Sequence, residues 1–375
     1  MTRERLRVLL VSANYRPSVG GIERFVEVLA EELARRGHGV TVACCREGDA
    51  ALRERGRGVD VTRLRASNLP RRLVGVPYPV PAPSGLLREL PRLVGEADVV
   101  HAQDAVYATS VAALVAAARR GVPSVLTQHV AHVPQASRLL DGAQALATRA
   151  TRGVVRRASV VATYNDAVAD WAAATWGIER PRVLPSGVEP PAASPAERLA
   201  ARRELGLSDD AFVALFVGRD VPKKHLDTFL AAAAPGTYEL VAVTDRAGPA
   251  PAGARLVPFR EPERFAVLLA SCDAFVLPSE GEGFPLALQE ALVAGLPCVI
   301  ARHPGYERYV GEDDVLYVER DGAAIRAGLE SLVASPERRA TLAAHAAEAG
   351  RRSFGVTGFA DAYEALYREL LTRRP

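Results

Sequence analysis

The stretch from Cys272 to Ile300 leaves few folds open. Cys272-Asp273-Ala274-Phe275-Val276-Leu277 is a short apolar run of the kind that forms a strand buried on both faces. Pro278-Ser279-Glu280-Gly281-Glu282-Gly283 breaks it, and Pro285 suits the first turn of a helix, where its missing N–H costs nothing. Leu286 to Ala294 reads as that helix, Gly295 as its stop, and Pro297 to Ile300 as the next strand. The unit is strand, loop, helix, strand, with its loop at the carboxyl end of a strand. Open parallel sheets bind ligands at that edge.

The start of this helix offers unsatisfied N–H groups and the positive end of a dipole, which suit a phosphate. Gly281 and Gly283 let the backbone approach a ligand closely. Leu286, Leu288, Ala291, Leu292 and Val293 make the helix apolar nearly all round, so it is expected to be buried with Glu290 on it. A buried carboxylate needs donors. Ligand hydroxyl groups or an Arg of the same domain would each supply them.

The rest of the chain repeats the pattern. Leu6 to Ser12 reads as a buried parallel strand, Asn14 to Gly21 as a loop ending in Gly20-Gly21, and Ile22 to Arg36 as an amphipathic helix stopped by Gly37. Val40 to Cys44 is the next strand, an order that opens a doubly wound domain. The dinucleotide fingerprint G-x-G-x-x-G is missing. Strands are also expected at Asp98–His101, Ser124–His129 and Ser159–Thr163, with helices over Tyr107–Arg120 and Asp166–Ala174. Glu189 to Ser194 reads as a linker, followed by a short helix through Leu205. Phe212–Val217, Glu239–Val243 and Arg255–Pro258 are strands of a second domain, Glu263–Ala270 is the helix before Cys272, and helices follow over Asp321–Ala334, Pro336–Gly350 and Phe354–Leu371. The expected division is 1–188, a linker at 189–205, 206–353, and a terminal helix over 354–375.

Composition bounds the class. The 375 residues are 49% apolar and 24% charged, as in a soluble globular protein of two ordinary domains. No run of 18 apolar residues offers a transmembrane helix, the N-terminus lacks a signal-peptide pattern, and Cys44, Cys45, Cys272 and Cys298 have no metal-ligand spacing. The expectation is a cytoplasmic protein with buried free thiols. Residues 1–190 carry 26 basic against 18 acidic side chains, and the remainder 21 against 26. Seven Arg fall between Arg53 and Arg72, readable as a basic surface for an anionic lipid head group or phosphorylated acceptor, peripheral at the inner membrane face, or as a solvated loop. Nothing has nucleic-acid-binding motif structure.

After the Phe212–Val217 strand comes Gly218-Arg219-Asp220-Val221-Pro222-Lys223-Lys224-His225. Lys223 and Lys224 are the only lysines in the chain, beside 45 arginines. Lys is a compact point charge that suits phosphate in a tight site, and Arg does not replace it freely.

Glu282 and Glu290, eight positions apart around Gly283-Phe284-Pro285-Leu286, resemble the E-x7-E motif of the retaining glycosyltransferases of family 4. Pro278-Ser279, Glu290-Ala291-Leu292 and Gly295-Leu296-Pro297 are similar to that family's frame, as are Gly218-Arg219…Lys224 and Pro185-Ser186-Gly187-Val188-Glu189. The resemblance spans nearly the whole chain. It implies an α/β protein of GT-B architecture: two Rossmann-like doubly wound parallel-sheet domains facing across a cleft, with the terminal helix crossing back to brace the first. It implies transfer of a hexosyl-type sugar from a nucleotide diphosphate sugar, UDP- or GDP-linked, to a hydroxyl of a glycan, glycolipid or natural product. Retention, with no metal and no cofactor, goes with it.

By position, Arg219 and Lys224 then grip the donor diphosphate, Gly218 shapes their turn, and Gly20-Gly21 faces donor phosphates and acceptor. Glu282 holds hydroxyls of the transferred sugar, Gly283, Phe284, Pro285 and Leu286 form the phosphate-facing helix start, and Glu290 holds the ribose. Thr127-Gln128-His129 resembles the strand-end His that reaches the sugar, although a lone strand-end His also serves structurally. His225 stands where the family has Gly. A nucleotide-sugar epimerase or a non-catalytic sugar-nucleotide-binding protein of the same architecture is the alternative.

Overall fold

The computed structural model describes residues 5–18, 20–67, 79–131, 138–191, 193–259, 262–280, 284–303 and 305–373. They form two compact units, one of Met1–Gly187 with Val356–Pro375 and one of Val188–Gly355.

The first unit's strands are β1 (Arg7–Val11), β2 (Gly39–Cys45), β3 (Arg53–Gly56), β4 (Val59–Leu64), β5 (Ala66–Ser67), β6 (Val80–Pro81), β7 (Val99–Gln103), β8 (Ser124–Thr127), β9 (Val160–Thr163) and β10 (Arg182–Val183). Eight make one sheet in the order β10-β9-β8-β7-β1-β2-β4-β3, parallel except where β3 meets β4; β5 and β6 pair separately. Helices cover both faces, which is why these strands read as apolar runs rather than as alternating ones. Leu10, Val26, Leu29 and Leu33 pack on one face with Phe359, Tyr363 and Tyr367. Leu9, Val11, Leu93 and Ala117 pack on the other. The terminal helix Val356–Thr372 belongs to this unit and lies against the Gly21–Arg35 helix, where Arg36 Nη1 is 2.6 Å from Asp361. It comes so near Gly187 that a Cβ there would lie 2.1 Å from the Phe359 ring. Only glycine fits that crossing.

The second unit's strands are β11 (Val213–Val217), β12 (Glu239–Val243), β13 (Ala254–Val257), β14 (Ala274–Leu277), β15 (Cys298–Ala301) and β16 (Leu316–Val318). They form a fully parallel sheet in the order β13-β12-β11-β14-β15-β16. In both units the strand order reverses beside the first strand, between β1 and β7 and between β11 and β14. Ligand crevices of doubly wound sheets open at the carboxyl ends of such a pair.

Several expectations need correction. The short helix expected through Leu205 is Pro195–Glu204, which a capping box of Ser194 and Glu197 starts. Arg202 then ties it to the second unit through the Ser271 carbonyl at 2.9 Å and Asp273 at 2.8 Å. Phe354 does not open the terminal helix but ends Pro336–Phe354, and its ring stacks on Phe284 at 4.7 Å. Strand β16 has no sequence signal, because three residues between acidic segments carry too little pattern. The described part of Arg53–Arg72 is largely a β-hairpin, β3 with β4, and its exposed Arg53, Arg55 and Arg57 pair with Glu89, Asp60 and Glu31. Arg63 is buried against the Ala51 and Arg16 carbonyls; residues 68–72 lie outside the described residues.

All four cysteines are buried free thiols, and burial pushes Cys44 and Cys45 up to about 12. Among the described residues no helix is long and apolar enough to cross a membrane.

Candidate functional site

In the second unit the chemistry collects where β11 and β14 end side by side. β11 runs into Gly218, whose N–H donates to the Val243 carbonyl at 3.0 Å. A Cβ at Gly218 would lie 3.0 Å from the Phe216 ring and 3.1 Å from Lys224 Cδ, so glycine lets the lysine fold back over the strand end. Arg219 follows, exposed and without an ion pair among the described residues. Pro222–Lys224 forms one 3-10 turn, ended by His225 in the left-handed region at φ 53°, ψ 44°. That is the conformation a glycine would supply, so the turn survives the substitution.

Across the switch point, β14 runs into Pro278-Ser279-Glu280. The Glu280 N–H donates to the Lys223 carbonyl at 2.9 Å, joining loop to turn. Ser279 is fully buried and its hydroxyl has no hydrogen bond among the described residues. Gly281, Glu282 and Gly283 lie outside the described residues. The chain resumes at Phe284, whose ring packs inward against Tyr306, Tyr309 and Phe354. It therefore offers a ligand only backbone.

Pro285 is the N-cap of the Leu286–Val293 helix, extended at φ −61°, ψ 139°, rather than a residue of its first turn. Its carbonyl already accepts from Leu288 and Gln289. The helix is not buried all round: Leu286, Ala287 and Glu290 form a half-buried stripe, while Leu288, Gln289, Ala291, Leu292 and Val293 are buried. Glu290 thus borders the accessible side instead of being sequestered. Gly350 fixes the helix from behind, since a Cβ there would lie 2.6 Å from the Leu292 backbone.

The first unit has its own glycine-led helix start. Gly20 is the extended N-cap of Gly21–Arg35, and a Cβ on it would meet only the Glu23 carboxylate, at 2.2 Å. Glu23 puts negative charge in that first turn, whereas the first turn from Leu286 has no acidic residue. A phosphate is therefore better served at the second start. From the same helix Phe25 meets the His129 ring edge-on, centroids 4.8 Å apart.

His129 lies two residues past β8 and is buried. Its N–H donates to Asp104 Oδ1 at 2.8 Å, and its Nε2 is 2.8 Å from Gln103 Oε1. Burial lowers its pKa to about 3, so the ring is neutral. His101 is spent inside the core, with Nδ1 2.6 Å from the Tyr367 hydroxyl and Nε2 2.7 Å from Thr127 Oγ1. Asp104, which sequence reasoning missed, is buried at φ 51°, and burial with Glu23 nearby pushes its pKa up to about 7. Its signal was available: an Asp directly after the Val99–Gln103 strand, beside a Gln.

Two doubly wound parallel-sheet units define the GT-B class of glycosyltransferases, and solved structures agree. Over 97% of this chain and all of the other, Anabaena HepE in complex with UDP and glucose superposes with a TM-score of 0.72 at 18% identity. The sucrose-phosphate synthase of Thermosynechococcus elongatus gives 0.69 at 19%, over 98% of this chain and all of the other.

The chain belongs to glycosyltransferase family 4 and is a glycosyltransferase. Residues 19–190 match the family model described as Glycosyltransferase Family 4, and residues 250–349 the one described as Glycosyl transferases group 1. The GDP-mannose-dependent alpha-mannosyltransferase of Mycobacterium tuberculosis is 30% identical, over 86% of this chain and 84% of that protein. The D-inositol 3-phosphate glycosyltransferase of Stackebrandtia nassauensis is 28% identical, over 98% and 92%.

Proposed function

We propose that the protein moves a hexosyl-type sugar from a UDP- or GDP-linked diphosphate donor to an acceptor hydroxyl, with retention and without a metal. One observation carries the donor assignment. Arg219, Lys224 and a helix start free of acidic residues flank the β11/β14 switch point, joined by the Glu280–Lys223 hydrogen bond. In this reading the second unit takes the donor and the first the acceptor.

As the glycosidic bond breaks, negative charge grows on the leaving diphosphate. Arg219, Lys224 and the N–H groups of Leu286 and Ala287 at the helix start serve the charge that develops there, which is electrostatic catalysis. Fixed cations take the part a metal plays elsewhere. Glu290, on the half-buried stripe, accepts from ribose hydroxyls, and Glu282 from those of the transferred sugar, with Gly283 giving backbone access beside it. His129 meets the sugar as a neutral ring, and Gly20-Gly21 lines the acceptor side by backbone. Front-face attack lets a leaving-phosphate oxygen take the acceptor proton, so no carboxylate base is required. Glu282 and Glu290 are not a hydrolase pair. Arg53, Arg55 and Arg57, exposed although ion-paired, keep peripheral contact with an anionic lipid head group or phosphorylated acceptor within this reading.

Two relatives support this choice of donor: one is GDP-mannose-dependent by name, and a structural neighbour holds UDP and glucose. The test is thermal stabilisation by UDP, GDP, dTDP and ADP sugars without added metal. A ligand that binds the native state at about 100 times its Kd adds about 2.7 kcal/mol. The expected outcome is a clear rise with UDP or GDP sugars. No rise with any donor at millimolar concentration rejects the reading.

A further inference from the structure

His225 sits in a turn whose backbone suits glycine, at φ 53° and ψ 44°. A side chain in that region costs about 1–2 kcal/mol, so the imidazole has to do something glycine cannot. It reaches across the switch point. Its buried Nε2 lies 3.3 Å from Glu280 Oε1, an ion-pair distance without hydrogen-bond alignment. Glu280 is held from other sides too. Its N–H donates to the Lys223 carbonyl at 2.9 Å, and its Oε2 lies 3.3 Å from Arg320 Nη1. Arg320 in turn donates from Nε to the Pro278 carbonyl at 2.9 Å. His225, Glu280, Arg320 and Pro278 thus connect the turn after β11 to the loop after β14.

We infer that His225 is a positioning residue for the donor diphosphate: through Glu280 and Arg320 it locks the Lys224 turn against the loop that leads to the Leu286–Val293 helix. The inference rests on the reading that this turn grips a diphosphate. The His225 and Glu280 side chains are 26% and 52% exposed, and polar contacts so open to water add little stability. The clasp therefore acts on where Lys224 Nζ sits. Small misplacements of a group that must meet a phosphate are felt in binding long before they are felt in folding.

The test is calorimetric titration of UDP and of GDP into the full chain and into its Lys224→Ala, His225→Gly, Glu280→Gln and His225→Gly/Glu280→Gln variants. Glycine is the better residue for a left-handed turn, so His225→Gly keeps the fold, with an undiminished melting temperature. Each single clasp variant should weaken nucleotide binding about fivefold or more, and the double variant no further than about twofold beyond the weaker single, because the two residues act as one unit. Unchanged binding in His225→Gly, or additive losses in the double variant, overturns the clasp. If Lys224→Ala still weakens binding in that case, the diphosphate reading stands without it. Failure of the unaltered protein to bind either nucleotide, or indifference of binding to Lys224→Ala, overturns both.

Discussion

Lys224 and Arg219 bring positive charge to the β11 edge in different ways. Lys224 is half-buried, folded over Gly218, and Arg219 is exposed. In the proposed reading both charges serve the leaving diphosphate, so replacing either with Ala should raise the barrier by about 2–4 kcal/mol. Turnover measured at saturating donor reads this directly, and a loss below about threefold removes the residue from charge stabilisation. Glu290→Gln keeps the shape of the half-buried stripe and removes its charge; nucleotide affinity should fall, and unchanged affinity refutes the ribose contact.

In the first unit, burial holds His101 and His129 at about 3, against 6.5 in an unfolded chain. Between those values the unfolded state binds one more proton per His, so their contribution to stability is present above pH 6.5 and is lost as pH falls toward 3. Asp104, raised to about 7 from 3.8, acts in the opposite sense between those values, leaving a net excess of one proton in the unfolded state where the windows overlap. His101→Gln should therefore flatten the dependence of stability on pH between 6 and 4 by about 1.4 kcal/mol per pH unit. Urea midpoints at several pH values check this, and an unchanged slope rejects a neutral buried His101.

At the scale of elements, the two helix starts differ in charge. Gly21–Arg35 begins with Glu23 in its first turn, and Leu286–Val293 with no acid there. The Leu286–Val293 helix is set by Gly350, which lets Pro336–Phe354 cross it at backbone contact. Gly350→Ala forces the helices apart, at about 1–3 kcal/mol, and should lower both melting temperature and nucleotide affinity. Retained affinity in a folded variant separates the aim of this helix from binding. Helix and strand identities here were legible, because an apolar run bounded by Pro and Gly specifies both within a short window. Which helix face stays accessible was not, since that depends on which neighbour covers it.

For the whole molecule, the last helix completes the first unit's core with Phe359, Tyr363, Leu366, Tyr367 and Leu370. Burying each is worth about 1.5–3 kcal/mol, together comparable with the roughly 5–15 kcal/mol of a domain's net stability. Truncation after Gly355 should unfold the first unit. Both tryptophans, Trp171 and Trp176, lie in that unit, so a red shift of their emission reports it alone; native emission from the truncated chain refutes the argument. By itself the sequence determined the alternation of strand and helix, the two doubly wound units and the family motifs, because these are local: periodicity, Gly and Pro punctuation, and short spacings. Only the tertiary structure decided which residues are spent in packing. His101 meets Tyr367 from 266 positions away, Phe284 stacks on Phe354, and Arg63 is buried on the Arg16 carbonyl. Such pairings depend on how distant segments fold back on one another, and no short window of sequence contains that information.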